Sequence, residues 1–139
     1  MIWCVDDDNT IRDIEVYTLT QTGFEAKGFA DGISMLEALK SDKPELIVLD
    51  IMLPGMDGFA VCSKIRETSN THILIASAKV EKNDKLKGLN LGADDYIEKP
   101  YDVDILIAKI KGIFKRKYGQ EEIVEGNIRL NVSFCGERD

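Results

Sequence analysis

The chain has 139 residues, 44% hydrophobic and 31% charged, enough for one compact domain with one core and too short for two domains of ordinary size. Its 18 Lys and Arg against 25 Asp and Glu leave a net charge of -7, which argues against wrapping a polyphosphate backbone and favours cations or basic partners. Cys4, Cys62 and Cys135 are too dispersed for a zinc knuckle or a redox pair, and no apolar run approaches the roughly 18 to 20 residues of a membrane span, so a soluble, cytoplasmic protein with reduced thiols is expected.

Ile2 to Val5 is a continuous apolar run followed by Asp6, Asp7 and Asp8, after which Ile11, Ile14 and Leu19 share a helical face ending at Gly23. Glu25 to Phe29 mixes charge with apolar residues and reads as an exposed edge strand. Asp31 caps a second helix bearing Met35, Leu36 and Leu39. Leu46 to Leu49 forms a third strand that runs into Asp50, and Asp57 precedes a helix carrying Phe59, Cys62 and Ile65. A fourth strand, Ile73 to Ala76, meets Ser77. Leu86 and Leu89 then precede Gly92 in a helix that Asn83, Gly88 and Asn90 weaken. Tyr96-Ile97 is the fifth strand, with Lys99-Pro100 just beyond it. In the last helix Val103, Leu106, Ile107, Ile110, Ile113 and Phe114 make a wide apolar stripe, and Lys115, Arg116 and Lys117 complement its negative end.

Strands alternating with helices, each strand apolar throughout, indicate a parallel sheet covered on both faces. Right-handed crossovers make it an α/β fold, a doubly wound five-stranded parallel sheet over residues 1–117. Residues 118–139 remain as a linker and a further strand, with Ile128, Leu130, Val132 and Phe134 at period two before Gly136. That piece is too small to build its own core.

Ligands of open parallel sheets bind beyond the carboxyl ends of the strands. Those ends supply Asp6 and Asp7, Asp50, Ser77 and Lys99. Two carboxylates about 4 Å apart repel by roughly 4 kcal/mol at an effective dielectric near 20, so the three carboxylates require a cation. Their hard oxygens, too few for a calcium cage, suit Mg²⁺ together with substrate phosphate. Lys99 and the Ser77 hydroxyl would hold phosphate oxygens, leaving a carboxylate as the nucleophile.

Val5-Asp6-Asp7-Asp8 with Arg12 downstream, Leu49-Asp50-Ile51-Met52-Leu53-Pro54-Gly55-Met56-Asp57-Gly58, Ala76-Ser77-Ala78 and Gly92-Ala93-Asp94-Asp95-Tyr96-Ile97-Glu98-Lys99-Pro100-Tyr101 together resemble the receiver domain of two-component response regulators. The resemblance implies a flavodoxin-like (βα)5 fold with strand order 2-1-3-4-5. It implies Asp50 as the phosphoacceptor, taking PO₃ from the phosphohistidine of a sensor histidine kinase. Asp7, Asp50 and the Met52 backbone carbonyl would bind Mg²⁺ directly, and Asp6 through a water. Ser77 and Tyr96 match the family's switch hydroxyl and the aromatic that moves with it, and Lys99-Pro100 is expected to be cis. Two departures stand out: His72 where relatives often carry Pro, and Ser77 where Thr is commoner. Residues Ile123 to Arg138 resemble the opening strands of the winged-helix effector in OmpR- and PhoB-type regulators, implying a truncated effector and DNA contact only through the absent part. In that subfamily a phosphorylated homodimer forms on the face that here bears Leu89, Asp95 and Lys109, although Asn90 and Ile105 replace charges usual there.

Plainer roles exist for the same residues. Asp6 and Asp7 also suit a helix N-terminus, Asp8 and Asp57 read as caps, His72 as a surface residue at a strand end, and Cys4 and Cys62 as buried apolar groups. The rival function is a Mg²⁺-dependent phosphohydrolase of haloacid-dehalogenase type, which also uses an aspartyl nucleophile. It needs a second Asp as general acid two residues on, where this chain has Met52.

Overall fold

A computed structural model describes residues 1–78 and 82–118 of the chain. Five strands alternate with five helices: β1 (Ile2–Val5), α1 (Asn9–Thr22), β2 (Ala26–Phe29), α2 (Gly32–Leu39), β3 (Leu46–Leu49), α3 (Gly58–Thr68), β4 (His72–Ser77), α4 (Lys82–Asn90), β5 (Asp95–Glu98) and α5 (Val103–Tyr118). All pairings are parallel, in the order β2-β1-β3-β4-β5, as expected for the doubly wound receiver-type sheet. Tyr118 closes α5 one residue past the domain end expected at 117, and the proposed strand at 123–138 lies outside the described residues.

Period-two alternation divides the strands' side chains between two apolar layers. Trp3, Val5, Ile47, Leu49, Ile73 and Ile75 pack with Met35 of α2 and Val61, Cys62 and Ile65 of α3. Ile2, Cys4, Leu46, Val48, Leu74 and Ala76 face Leu19 of α1 and Leu106, Ile110 and Ile113 of α5. Burial on both faces explains the unbroken apolar runs of β1 and β3. Edge strand β2 carries exposed Lys27, in keeping with its mixed sequence.

Helix starts follow the capping chemistry of the sequence: Asp8, Asp31 and Asp57 accept backbone N–H bonds at the starts of α1, α2 and α3. α1 ends at Gly23, whose φ of 109° lies in the left-handed region that glycine enters without steric cost.

Four apolar assignments need correction. Ile14 is 50% exposed and Glu15 beside it only 2%, because Ile11, Glu15 and Leu19 lie on one i, i+4 row while Ile14 is turned aside. Val103 is 38% exposed at the first turn of α5, and Leu86 and Leu89 of α4 point outward, so Gly88 rather than a leucine meets the core there. His72 is also less exposed than a simple surface residue. Its Nδ1 lies 3.1 Å from Asp94 Oδ1, and Asp94 Oδ2 accepts the Ile73 N–H at 2.8 Å. Burial acts against the Asp94 carboxylate, but those bonds and the nearby Arg66 charge hold its pKa below the usual value. This network ties the amino end of β4 to the turn before β5, at the rim opposite the acidic one.

Candidate functional site

β1 and β3 pair as neighbours although β2 lies between them in the chain, so the helices that follow them leave toward opposite faces and open a crevice at their carboxyl ends. Val5 is opposite Leu49, which brings Asp6 and Asp50 side by side one residue further on. Backbone bonds continue past the strands: Asp6 N–H to Phe29 O at 3.1 Å, Asp50 N–H to Val5 O at 3.0 Å and Lys99 N–H to Ser77 O at 2.9 Å. The rigid sheet thus delivers two carboxylates, a hydroxyl residue and an ammonium to one rim.

Asp6 is 1% exposed. Its Oδ1 accepts the Asp8 N–H at 2.9 Å, its Oδ2 accepts from Lys99 Nζ, and its carbonyl accepts from Arg12 at 2.7 Å. Asp50 is 7% exposed; its Oδ1 accepts the Met52 N–H at 2.9 Å and its Oδ2 the Lys99 ammonium at 3.2 Å. Asp7 faces solvent. One oxygen from each of Asp6, Asp7 and Asp50 fits within a span of 4.8 Å. An all-oxygen carboxylate set of this kind suits a hard divalent cation. Burial and the Asp6 charge raise the Asp50 pKa above the usual carboxylate value, against the downward pull of the Met52 N–H and Lys99. For Lys99, burial opposes the charged form, yet the bond to Asp6 and the two carboxylate charges outweigh it and raise its pKa. The ammonium is therefore retained.

The turn from β3 into α3 is tight enough to require glycine. A Cβ at Gly58 would stand 2.2 Å from Ile51 Cα and 2.5 Å from the Asp50 carbonyl oxygen, and the Gly58 N–H donates to Ile51 O at 2.9 Å. This close approach fixes the backbone that carries Asp50.

Ser77 is fully buried at the last position of β4 and Tyr96 is 7% exposed in β5. A Cβ at Gly88 would lie 2.3 Å from the Tyr96 hydroxyl oxygen, so the ring is folded inward under α4. Met52 is exposed, and its backbone N–H is the group bonded to Asp50. Leu89 is exposed, whereas Asp95 and Lys109 pair within the chain at 3.1 Å rather than standing free. The Lys99-Pro100 peptide is cis. Asp8 and Asp57 serve as caps and Cys4 and Cys62 are buried.

Two participants escaped the sequence reading. Arg12, quoted there as part of a motif without a task, anchors the Asp6 carbonyl, and its stem lies over Gly28, where a Cβ would come within 2.9 Å of it. Glu15 accepts a hydrogen bond from Tyr101, two residues beyond Lys99. The available signal was Glu15's place on the Ile11–Leu19 row.

Residues 2–111 match the family described as "Response regulator receiver domain". The chain is 39% identical over 112 residues to the transcriptional regulatory protein CseB of Streptomyces coelicolor, an alignment covering 81% of this chain and 48% of CseB. A two-component response regulator from Clostridium difficile superposes with a TM-score of 0.82 at 30% identity, over 85% of this chain and 98% of that one. DrrB, a Thermotoga maritima OmpR/PhoB homolog, gives a TM-score of 0.76 at 34% identity, over 84% of this chain and 52% of DrrB. The chain spans about half the length of the curated relatives it matches.

Proposed function

The chain belongs to the response regulator receiver domain family and is a receiver domain of a two-component response regulator, and from that premise we propose that Asp50 is its phosphoacceptor, drawing PO₃ from a sensor histidine kinase. The observation that carries this reading is the gathering of Asp6, Asp7 and Asp50 within 4.8 Å, with Lys99 bonded to two of them. Among the three, Asp6 is sealed from solvent, while Asp7 is exposed. Asp50 combines partial access with a raised pKa, hence a more basic oxygen. A carboxylate oxygen of Asp50 forms the new P–O bond as the P–N bond of the phosphohistidine breaks, and the electron pair leaves with the imidazole nitrogen. Lys99 neutralises charge on the transferring oxygens and Ser77 offers a hydroxyl donor.

Mg²⁺ is the fitting cation: Asp7, Asp50 and the Met52 backbone carbonyl would hold it, with Asp6 acting through water, and it would supply charge neutralisation at the phosphoryl oxygens. The near-complete burial of Asp6 supports that indirect part. The phosphohydrolase alternative draws no support from the matched family, and Met52 cannot serve as its general acid.

The regulatory output belongs to the same proposal. The Ser77 hydroxyl and the inward Tyr96 ring are the two-state element, and transcription is the process controlled, as the name of the CseB relative suggests. A homodimer through Leu89, Asp95 and Lys109 would have to exchange the existing Asp95–Lys109 pair between subunits. A cytoplasmic location is part of the same proposal, following from receiver function; separately, no helix among the described residues is long and apolar enough to cross a membrane.

Labelling by acetyl phosphate tests the central assignment. The wild type is labelled only with Mg²⁺, and Asp50→Ala is not labelled; equal labelling of that variant refutes the assignment. Sedimentation with and without beryllofluoride reads the dimer, and an unchanged monomer removes it from the proposal.

A further inference from the structure

Glu15 lies on α1 with 2% of its surface exposed. One carboxylate oxygen accepts the Tyr101 hydroxyl, and the other, Oε1, is buried with no hydrogen-bond partner among the described residues. Buried polar atoms are seldom left unpaired, because the desolvation cost is not returned. Tyr101 follows Lys99 by two residues, on the segment that delivers the ammonium to Asp6 and Asp50. A side-chain bond therefore joins α1 to the stretch of backbone that places Lys99.

We propose that Glu15 and Tyr101 form a proton-linked latch that positions the Lys99 ammonium, so that phosphoryl acceptance at Asp50 depends on the protonation state of Glu15. The inference rests on Asp50 being the phosphoacceptor. It makes Glu15 a positioning residue that acts through Tyr101 and Lys99.

The surroundings of Glu15 define the charge balance. Cys4 and Asp6 face it from β1 and its end, Asp50 from beyond β3, and Lys99 and Tyr101 from beyond β5. Ala26 of β2 and Leu106 and Ile110 of α5 add apolar surface to the same layer. Burial is the largest influence on Glu15; together with the Asp6 and Asp50 charges it outweighs the Tyr101 bond and the Lys99 charge and lifts the pKa to about 7. Burial and the Glu15 charge push the Tyr101 hydroxyl well above its usual value, so it remains a donor throughout. With Glu15 ionised, the latch is a charge-assisted bond, roughly twice as strong as its neutral counterpart. The ionised carboxylate also attracts Lys99, so both effects secure the ammonium above the titration midpoint and relax it below.

The test is the rate of Mg²⁺-dependent labelling by acetyl phosphate as a function of pH, in the whole chain, with Asp50→Ala as control and circular dichroism confirming that each variant is folded. The wild-type rate should rise roughly threefold through a midpoint at or below pH 7, since Mg²⁺ offsets the Asp6 and Asp50 charges that help raise the Glu15 pKa. Glu15→Gln, neutral at every pH, should give a flat profile at the lower level. Tyr101→Phe removes the bond that favours the ionised form and should move the midpoint upward. An inflection retained in Glu15→Gln, or a midpoint unmoved in Tyr101→Phe, overturns the latch while Asp50 stands. Labelling that persists in Asp50→Ala overturns the phosphoacceptor reading itself.

Discussion

Replacing Lys99 by Met leaves two buried carboxylates facing each other. The side chains of Asp6, Asp50 and Lys99 are 2%, 8% and 12% exposed, so solvent screens them little. Removing one partner from such a buried arrangement costs about 3–5 kcal/mol. A ceiling exists, because Asp50 can take up a proton instead: holding a carboxyl neutral near pH 7 costs roughly 4 kcal/mol, and less where its pKa is already raised. The loss should therefore be about 3 kcal/mol, or about 10 °C in Tm for a domain of this size. Thermal melts followed by circular dichroism, with EDTA and with millimolar Mg²⁺, measure it. The sign with pH is fixed. A carboxyl whose folded pKa is raised stabilises the fold at low pH and loses that contribution as pH rises through the folded value. Without Lys99 the Asp50 pKa rises further, so the gap between variant and wild type should widen with pH and close on acidification. Mg²⁺ should raise the variant's Tm more than that of the wild type, because it binds carboxylates left without their ammonium. A Lys99→Met protein that melts with the wild type in EDTA at neutral pH would refute the reasoning.

Glu15→Gln should stabilise the protein increasingly as pH rises. The Glu15 pKa moves from 4.5 to about 7 on folding, which penalises the native state by on the order of 3 kcal/mol at alkaline pH and by nothing well below pH 4.5; urea denaturation at two pH values reads the difference. Gly58→Ala should cost about 2 kcal/mol or more and slow labelling, since its Cβ would meet fixed backbone at Ile51 and Asp50, and Tm with labelling rate checks both. Asp57→Ala removes the acceptor of the Ala60 N–H at 3.0 Å and should cost about 1 kcal/mol in urea denaturation, with little effect on labelling.

The sheet was legible because its strands are short and apolar on both faces. Ile2 to Val5 and Leu46 to Leu49 need no partner pattern to be recognised, and the mixed run at 25–29 marks the edge by its charge. Strand ends were also legible: the chemistry-bearing residues stand immediately after Val5, Leu49, Ala76 and Ile97. Helical faces were read less well. Hydrophobic spacing assigns Ile14 and Val103 inward, but a helix at the rim of a small domain has more apolar residues than the core can accept, and the i, i+4 geometry decides which are turned out. The outward leucines of α4 follow from Gly88, which lets the Tyr96 hydroxyl come so close that any larger residue would displace the ring.

Glu15 shows a deeper limit of reading by polarity. A pattern rule treats every charged position as solvent-facing, since burial of an unpaired charge is costly. A carboxyl whose environment raises its pKa to about 7 escapes much of that cost by carrying a proton for part of the physiological range. The residue is then polar in sequence yet nearly apolar in the fold, and only its neighbours reveal it: Cys4 and the Asp6 charge come from the first strand and its end, and Tyr101 from the far end of the domain. Asp50 differs in degree. Burial raises its pKa too, but the Lys99 ammonium and the Met52 N–H oppose that rise, and it keeps more access to solvent than Asp6. Two carboxyls of one small domain are thus driven apart by their surroundings, one toward a proton and one toward phosphorus.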